Sequence, residues 1–159
     1  MSEQQILDAC STFRKYGLKI YIGNMIGLPD ETLDMSFKTM ELNAKCRPSY
    51  SNVSIYMPYP GTDLCEYSRL KGYFSGDVDS LGWSTNSRSS MNIKDVKKVD
   101  RLHHLFSLGA AFPFFIPLIR VLVNIPLTGL YYLLFHCHRA WCYFFIVKYM
   151  DVKELFIKN

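Results

Sequence analysis

The sequence predicts an α/β chain: two parallel strands with flanking helices, followed by an apolar α-helical tail. Three observations predict it. Two short, β-rich apolar runs each end in a turn bearing glycine and proline, at 27–29 and at 58–62. Helical periodicity stands before, between and after these runs, the spacing that parallel strands with helical crossovers require. Beyond residue 93 the composition shifts, and from 105 to 150 the chain is dominated by Leu, Ile, Phe, Tyr and Val.

The elements follow in order. Ser2, with Gln5 three residues on, reads as a capping box. Ile6, Cys10 and Phe13 then give one apolar stripe, and Gly17 stops the helix. "LKIYIGNMI" (18–26) is almost continuously apolar, as a strand buried on both faces is. Gly27, Leu28 and Pro29 turn the chain, and Asp30, Glu31 and Thr32 suit a helix start, where acidic groups meet the positive end of the dipole. Leu33, Phe37, Met40 and Ala44 form the buried side of that helix. "YSNVSIYMPY" (50–59) is the second strand and "PYPGT" (58–62) its turn. A short helix carrying Leu64, Tyr67, Ser68 and Lys71 closes at Gly72. Residues 74–92, rich in Ser, Gly and Asp with Trp83 among them, read as a linker, and "KDVKKVDRLHHLFSLGAAF" (94–112) as an amphipathic helix that opens the tail. His103 and His104 sit where its charged part turns apolar and are expected at the surface.

Composition narrows the function classes. At 49% apolar and 15% aromatic the chain is not a disordered tail, and a net charge of +4 is too weak to argue for nucleic acid. The five cysteines, Cys10, Cys46, Cys65, Cys137 and Cys142, are scattered, and the opening "MSEQQILDAC" is polar where a secretory signal is basic and then apolar. The expectation is a cytoplasmic chain with reduced thiols whose role is packing. There is no P-loop lysine and no G-x-G-x-x-G. His138 and Cys142, at i and i+4, have a spacing that holds zinc, but the helix around them is aromatic and offers no carboxylate, so no metal site is assigned.

The tail offers two candidate spans, 105–125 and 127–149. The first carries Pro113, Pro117 and Arg120, the second "HCHR" (136–139) near its middle. Helices packed on the domain are the better expectation. Arg120, Arg139, Lys148, Lys153 and Lys158, with Trp141, Tyr131, Tyr132, Tyr143 and Tyr149, are the mix found at a headgroup boundary, which leaves two alternatives. Either the tail lies on a membrane surface, or it is a helical hairpin whose aromatic face covers the strands.

Both turns fall at the carboxyl ends of parallel strands, the edge where ligands gather because strand ends and helix starts expose unpaired backbone groups. Gly27 would admit a ligand close to the main chain, and the acidic rim suits an amine-bearing ligand better than a phosphate. The alternative is that both turns are tight connections and nothing more.

The segment from "YGLKIYIGNMIGLPDETLDMSFKTM" through "MPYPGTDLCEYSRLKGYF" resembles the later barrel strands of radical S-adenosylmethionine enzymes, closest to the subgroup with an amino-terminal cobalamin-binding domain. The two motifs that carry it, "NMIGLPDET" and "PYPGT", occur in the family's order, and the likeness covers about the first half of the chain. It implies a fragment of a partial (β/α) barrel over 1–73, a linker over 74–92 and a helical extension over 93–159. It further implies that Met25, Ile26 and Gly27 lie against the adenosyl part of S-adenosylmethionine, with Met57 and Pro58 approaching from the neighbouring strand. The family's G-x-I-x-G-x-x-E pattern fits loosely: Gly23 and Gly27 match, Met25 replaces isoleucine and Glu31 falls one position late. Asp30 stands where glycine is usual, and a relaxed, non-functional turn is one explanation.

The family's C-x-x-x-C-x-x-C motif, whose thiolates hold a 4Fe-4S cluster, has no counterpart in this sequence. Nor is there a cobalamin domain, and two strands alone leave open sheet edges. The resemblance therefore implies the carboxyl-terminal part of such an enzyme, inactive alone and partnered by an amino-terminal half that carries the cluster. Two rivals remain: a membrane-associated helical binding protein that keeps the remnant as scaffold, placed at the inner face of the membrane, and a self-contained α/β enzyme, for which no nucleophile, base or phosphate loop is found.

Overall fold

The computed structural model describes residues 1–75 and 89–144. Among them are α1 (Glu3–Lys15), β1 (Tyr21–Ile26), α2 (Leu33–Cys46), β2 (Tyr50–Ile55), α3 (Asp63–Leu70), α4 (Val96–Ala111), a 3-10 turn (Pro113–Phe115), α5 (Ile116–Leu122) and α6 (Thr128–Cys142). The fold class is mixed α/β, with β1 and β2 paired in parallel from Tyr21 opposite Tyr50 to Ile26 opposite Ile55.

Local chemistry sets the boundaries. The Ser2–Gln5 capping box forms in both directions, and Thr32 and Thr62 cap α2 and α3 by accepting the backbone N–H groups of Met35 and Cys65. Helix α1 buries Cys10 against Ile20 and Cys46, with Ile6 and Leu7 packed beside them, while Phe13 stays exposed. Burial holds the Cys46 thiol up at about 11, so this sulfur is inert packing.

The first strand departs from expectation. It starts at Tyr21 rather than Leu18, and only one of its faces is buried. Ile26 and Val53 pack with Phe37, Met40, Leu102 and Phe106, so α2 and α4 cover that side of the sheet. Tyr21, Gly23 and Met25 on β1, with Asn52 on β2, point the other way and are exposed. The continuous apolar run misled because alternate residues such as Met25, 48% exposed, are as hydrophobic as the core ones. The second strand is shorter than 50–59: after Ile55 only the Tyr56 N–H continues the ladder, to the Ile26 carbonyl at 2.9 Å.

The tail joins the same core. Ile116, Ile119, Val123 and Tyr131 cluster with Ile26, Phe37 and Met40. Gly109 makes this fit: a Cβ there would lie 2.4 Å from the Met40 sulfur. No helix among the described residues is long and apolar enough to cross a membrane. The first candidate span is broken at Phe112–Pro113, and the second runs past residue 144, outside the described residues. Most of the linker (76–88) and Lys148, Tyr149, Lys153 and Lys158 also lie outside them.

His103 overturns the surface assignment. It is 1% exposed, because α4 packs against β2 on one side and α6 on the other. Its ring lies 5.7 Å from that of Phe135 and beside the Val53 backbone, yet neither ring nitrogen makes a hydrogen bond. His104 is partly buried, with Nδ1 likewise unbonded.

Candidate functional site

The turn after β1 is built from its own residues. Ile26 is fully buried, Gly27 adopts φ +78°, and the Glu31 N–H donates to the Leu28 carbonyl at 3.1 Å. Pro29 and Asp30 are thus the central pair of a four-residue turn, whose third position commonly takes glycine at positive φ. Asp30 adopts φ +62°, so the turn keeps the glycine-like conformation instead of relaxing. The cost to a residue with a Cβ is offset by two hydrogen bonds: the Tyr67 and Tyr73 hydroxyls both donate to the Asp30 carboxylate. These bonds, Tyr67 first, hold that carboxyl below the usual carboxylate range.

Glu31 is committed within the turn. One carboxylate oxygen accepts the Leu28 N–H at 2.9 Å and the other the buried Ser36 hydroxyl at 2.7 Å. Asp30 and Glu31 therefore precede helix α2 rather than opening it; Thr32 is the cap and Leu33 the first helical residue.

The two sequence-identified strand ends meet, but their side chains diverge. Met25 lies on the exposed face at 48% exposure, whereas Ile26, Met57 and Pro58 are buried. Gly27 is buried too, and the space where its side chain would be is met by Val99 at 3.4 Å and by Ile55 and Ile93 at 3.8 Å. The segment leading into α4 crosses Gly27 on that side, so protein occupies the approach that sequence reading left open to a ligand. Beside the turn is a cleft of about 510 Å³ lined by Asp30, Glu31, Asp34, Lys94, Asp95 and Arg120, among others. Carboxylates outnumber cations there, and Arg120 is already paired with Asp34 at 2.9 Å and Glu41 at 3.0 Å while lying over the Phe37 ring.

Behind the strands, Asn24 and Asn43 exchange hydrogen bonds at 3.0 and 2.7 Å, and the Ser51 hydroxyl donates to Asn43 at 3.0 Å. This polar link fixes α2 across both strands. Asparagine at position 43 of an apolar helix stripe was the signal for it. The Tyr67–Asp30–Tyr73 clamp carried no comparable signal, because its partners are separated by about forty residues of chain.

At the tail, the Cys142 sulfur lies 3.6 Å from His138 Nε2. Burial pushes the thiol up and the imidazole down, so the pair stays neutral. Among the described residues no group of three or more His, Cys, Asp or Glu converges as a metal site.

The clamp makes a direct prediction. Asp30→Ala keeps the positive φ and loses both tyrosine bonds, whereas Asp30→Gly loses the bonds but relieves the backbone. Thermal melts are expected to place Asp30→Ala a few degrees below the parent and Asp30→Gly between the two. Equal melting points for the two variants, both below the parent, would show that the clamp and not the backbone decides.

No protein-family model matches the chain, and no solved structure matches it. The chain is similar to an uncharacterized methyltransferase of Pyrococcus horikoshii, with 38% identity over 68 residues. That match covers 43% of this chain and 15% of the relative, so the chain spans a small part of the length of the protein it resembles.

Proposed function

We propose that this chain is the carboxyl-terminal part of a radical S-adenosylmethionine enzyme, contributing part of the cofactor rim and inactive by itself. The observation that supports it most is the two-faced sheet: helices cover one side, while Gly23, Met25 and Asn52 stand exposed on the other. A parallel sheet is ordinarily covered on both sides. In a (β/α) barrel the exposed side is the interior, and the strand ends at Ile26 and Ile55 lie at the rim where barrels bind ligands. The methyltransferase relative agrees with a role connected to S-adenosylmethionine, since methyl transfer draws on that cofactor.

Within this reading Met25 supplies apolar contact to the adenosyl group, and Gly27 lets the chain turn directly behind it. Glu31 is a positioning residue that keeps the turn's shape. Met57 and Pro58 are buried supports of the neighbouring strand end. The cysteines do not fit a 4Fe-4S cluster: Cys10 and Cys46 adjoin beneath α1, Cys65 hydrogen-bonds the Pro58 carbonyl, and Cys142 sits beside His138. The cluster would come from an amino-terminal partner portion, and no residue of this chain is assigned to cobalamin.

A chimera tests the proposal. This chain replaces the aligned part of the Pyrococcus horikoshii relative, and S-adenosylmethionine binding is followed by equilibrium dialysis. The chimera is expected to bind as the parent does, and Met25→Ala within it to weaken binding roughly tenfold. If the parent binds and the folded chimera does not, the rim assignment fails.

A further inference from the structure

All four histidines of the chain gather along the seam where α6 packs on α4. His103 and His104 stand on α4 with ring centroids 5.2 Å apart, and each ring lies 5.7 Å from that of Phe135 on α6. His136 packs on Tyr132 at 4.2 Å, and Tyr132 in turn meets His104 at 5.9 Å. His138 faces Cys142 and Phe112, which ends α4. Imidazoles take up charge at about pH 6.5 in water, so acid loads one seam with like charges.

No carboxylate is placed to balance them. Among the described residues, the titratable and charged groups that face these imidazoles are Tyr50 from β2 and Tyr132, Arg139, Cys142 and Tyr143 from α6. On α4 itself, Asp100 accepts the Ser89 N–H at 3.0 Å and Arg101 donates to the Val123 carbonyl. Both ring nitrogens of His103 and Nδ1 of His104 are buried without a hydrogen bond, so a proton taken up there is neither hydrated nor paired.

The packing decides which segment yields. Helix α4 is held by α2 and β2 as well as by α6, whereas α6 packs chiefly on α4. Tyr131 is anchored through its hydroxyl to the Leu122 and Ile125 carbonyls. Beyond it, from 132 to 142, only Phe135 and Cys142 are buried. Lifting that stretch bares little apolar surface, yet it opens the seam histidines to water. Unfolding the rest of the chain frees no further histidine, so the local opening gains the same protons at a smaller cost.

We propose that the part of α6 beyond Tyr131 is an acid-released arm: protonation of the seam histidines lifts residues 132–142 off α4 while β1, β2 and α2 stay folded. The arm closes again as the pH rises and the imidazoles lose their protons.

Hydrogen–deuterium exchange of the full chain, read by mass spectrometry between pH 7 and 5 and corrected for intrinsic rates, follows each segment separately. A short released helix frays in water, so its amides exchange. Opening of 132–142 is expected to rise at least about twentyfold, because His103, held down at about 4 when closed, regains its ordinary 6.5 when open. Peptides from β1, β2 and α2 are expected to exchange more slowly at every pH. Low urea should accelerate them and leave 132–142 nearly unchanged, since the local opening exposes little surface. His103→Leu should remove most of the acid response. The double variant His104→Gln with His136→Gln should weaken it, and carries the test if His103→Leu does not fold. One common, equally urea-sensitive rate for 132–142 and the strands means global unfolding and overturns the proposal. So does opening of 132–142 that ignores pH, or an acid response that these histidine variants leave intact.

Discussion

Acidification is expected to destabilise the folded chain by about 3 kcal/mol through His103 alone. Burial holds this imidazole down at about 4, from an ordinary value of 6.5, with the neighbouring His104 adding to the effect. The unfolded chain takes up a proton near 6.5, whereas the folded chain refuses it until about 4. Between those values the unfolded state binds more protons, so stability is full above the window and falls as pH falls through it. The loss then levels off. His104 and His138 are shifted downward by burial as well and act in the same direction.

The carboxylates act separately. Asp30 and Asp34 are held below their ordinary 3.8 by hydrogen bonds, from the tyrosines and from Arg120, so their contributions are lost only at lower pH. Urea denaturation across the window checks the assignment. The parent midpoint should fall steeply, and His103→Leu, which removes the buried titrating group, should flatten most of that slope. An unchanged slope in the variant would place the acid sensitivity elsewhere.

Much of the backbone was legible because local chemistry fixed it. The Ser2 box, Thr32 at a helix start and the glycine turns are short-range signals, and each appears where the spacing put it, whereas the Thr62 cap is seen only in the structure. What failed was long-range. The coverage of β1 depends on what packs against it, and an apolar residue such as Met25 has the same sequence signature whether covered or bare. His103 was misread for a related reason: its environment comes from β2 and α6, not from its neighbours along α4. At the candidate site, Glu31 was legible as an acidic group at a helix start but not as the acceptor of two bonds that fix the turn. At Asp30 the sequence left a relaxed turn open, because a Cβ resists positive φ; the two tyrosines that stabilise the φ of +62° come from far along the chain.

Replacing Tyr131 with alanine should destabilise the whole described core, by about 3–5 kcal/mol, as truncation of a fully buried aromatic does. Tyr131 has no exposed surface and its hydroxyl lies 2.8 Å from the Leu122 carbonyl and 3.1 Å from that of Ile125, closing the bend between α5 and α6. Tyr131→Phe keeps the ring and loses only the hydroxyl, so a cost of about 1 kcal/mol is expected, somewhat more if the carbonyls stay dry. The shape of the melt carries more than its midpoint. Ile26, Phe37, Met40 and Val53, from the strand–helix half, share one cluster with Val99, Leu102, Phe106 and Tyr131 from the tail. The Ser107 hydroxyl reinforces the seam by donating to the Ser51 carbonyl at 2.8 Å. A tail that were a separate appendage would melt alone in Tyr131→Ala and leave residues 1–75 at the parent's midpoint, giving two transitions. A shared core gives one cooperative transition displaced as a unit. Leu133 is 58% exposed and lies on a different face of α6 from Tyr131, so only substitution on the buried face should move the melt.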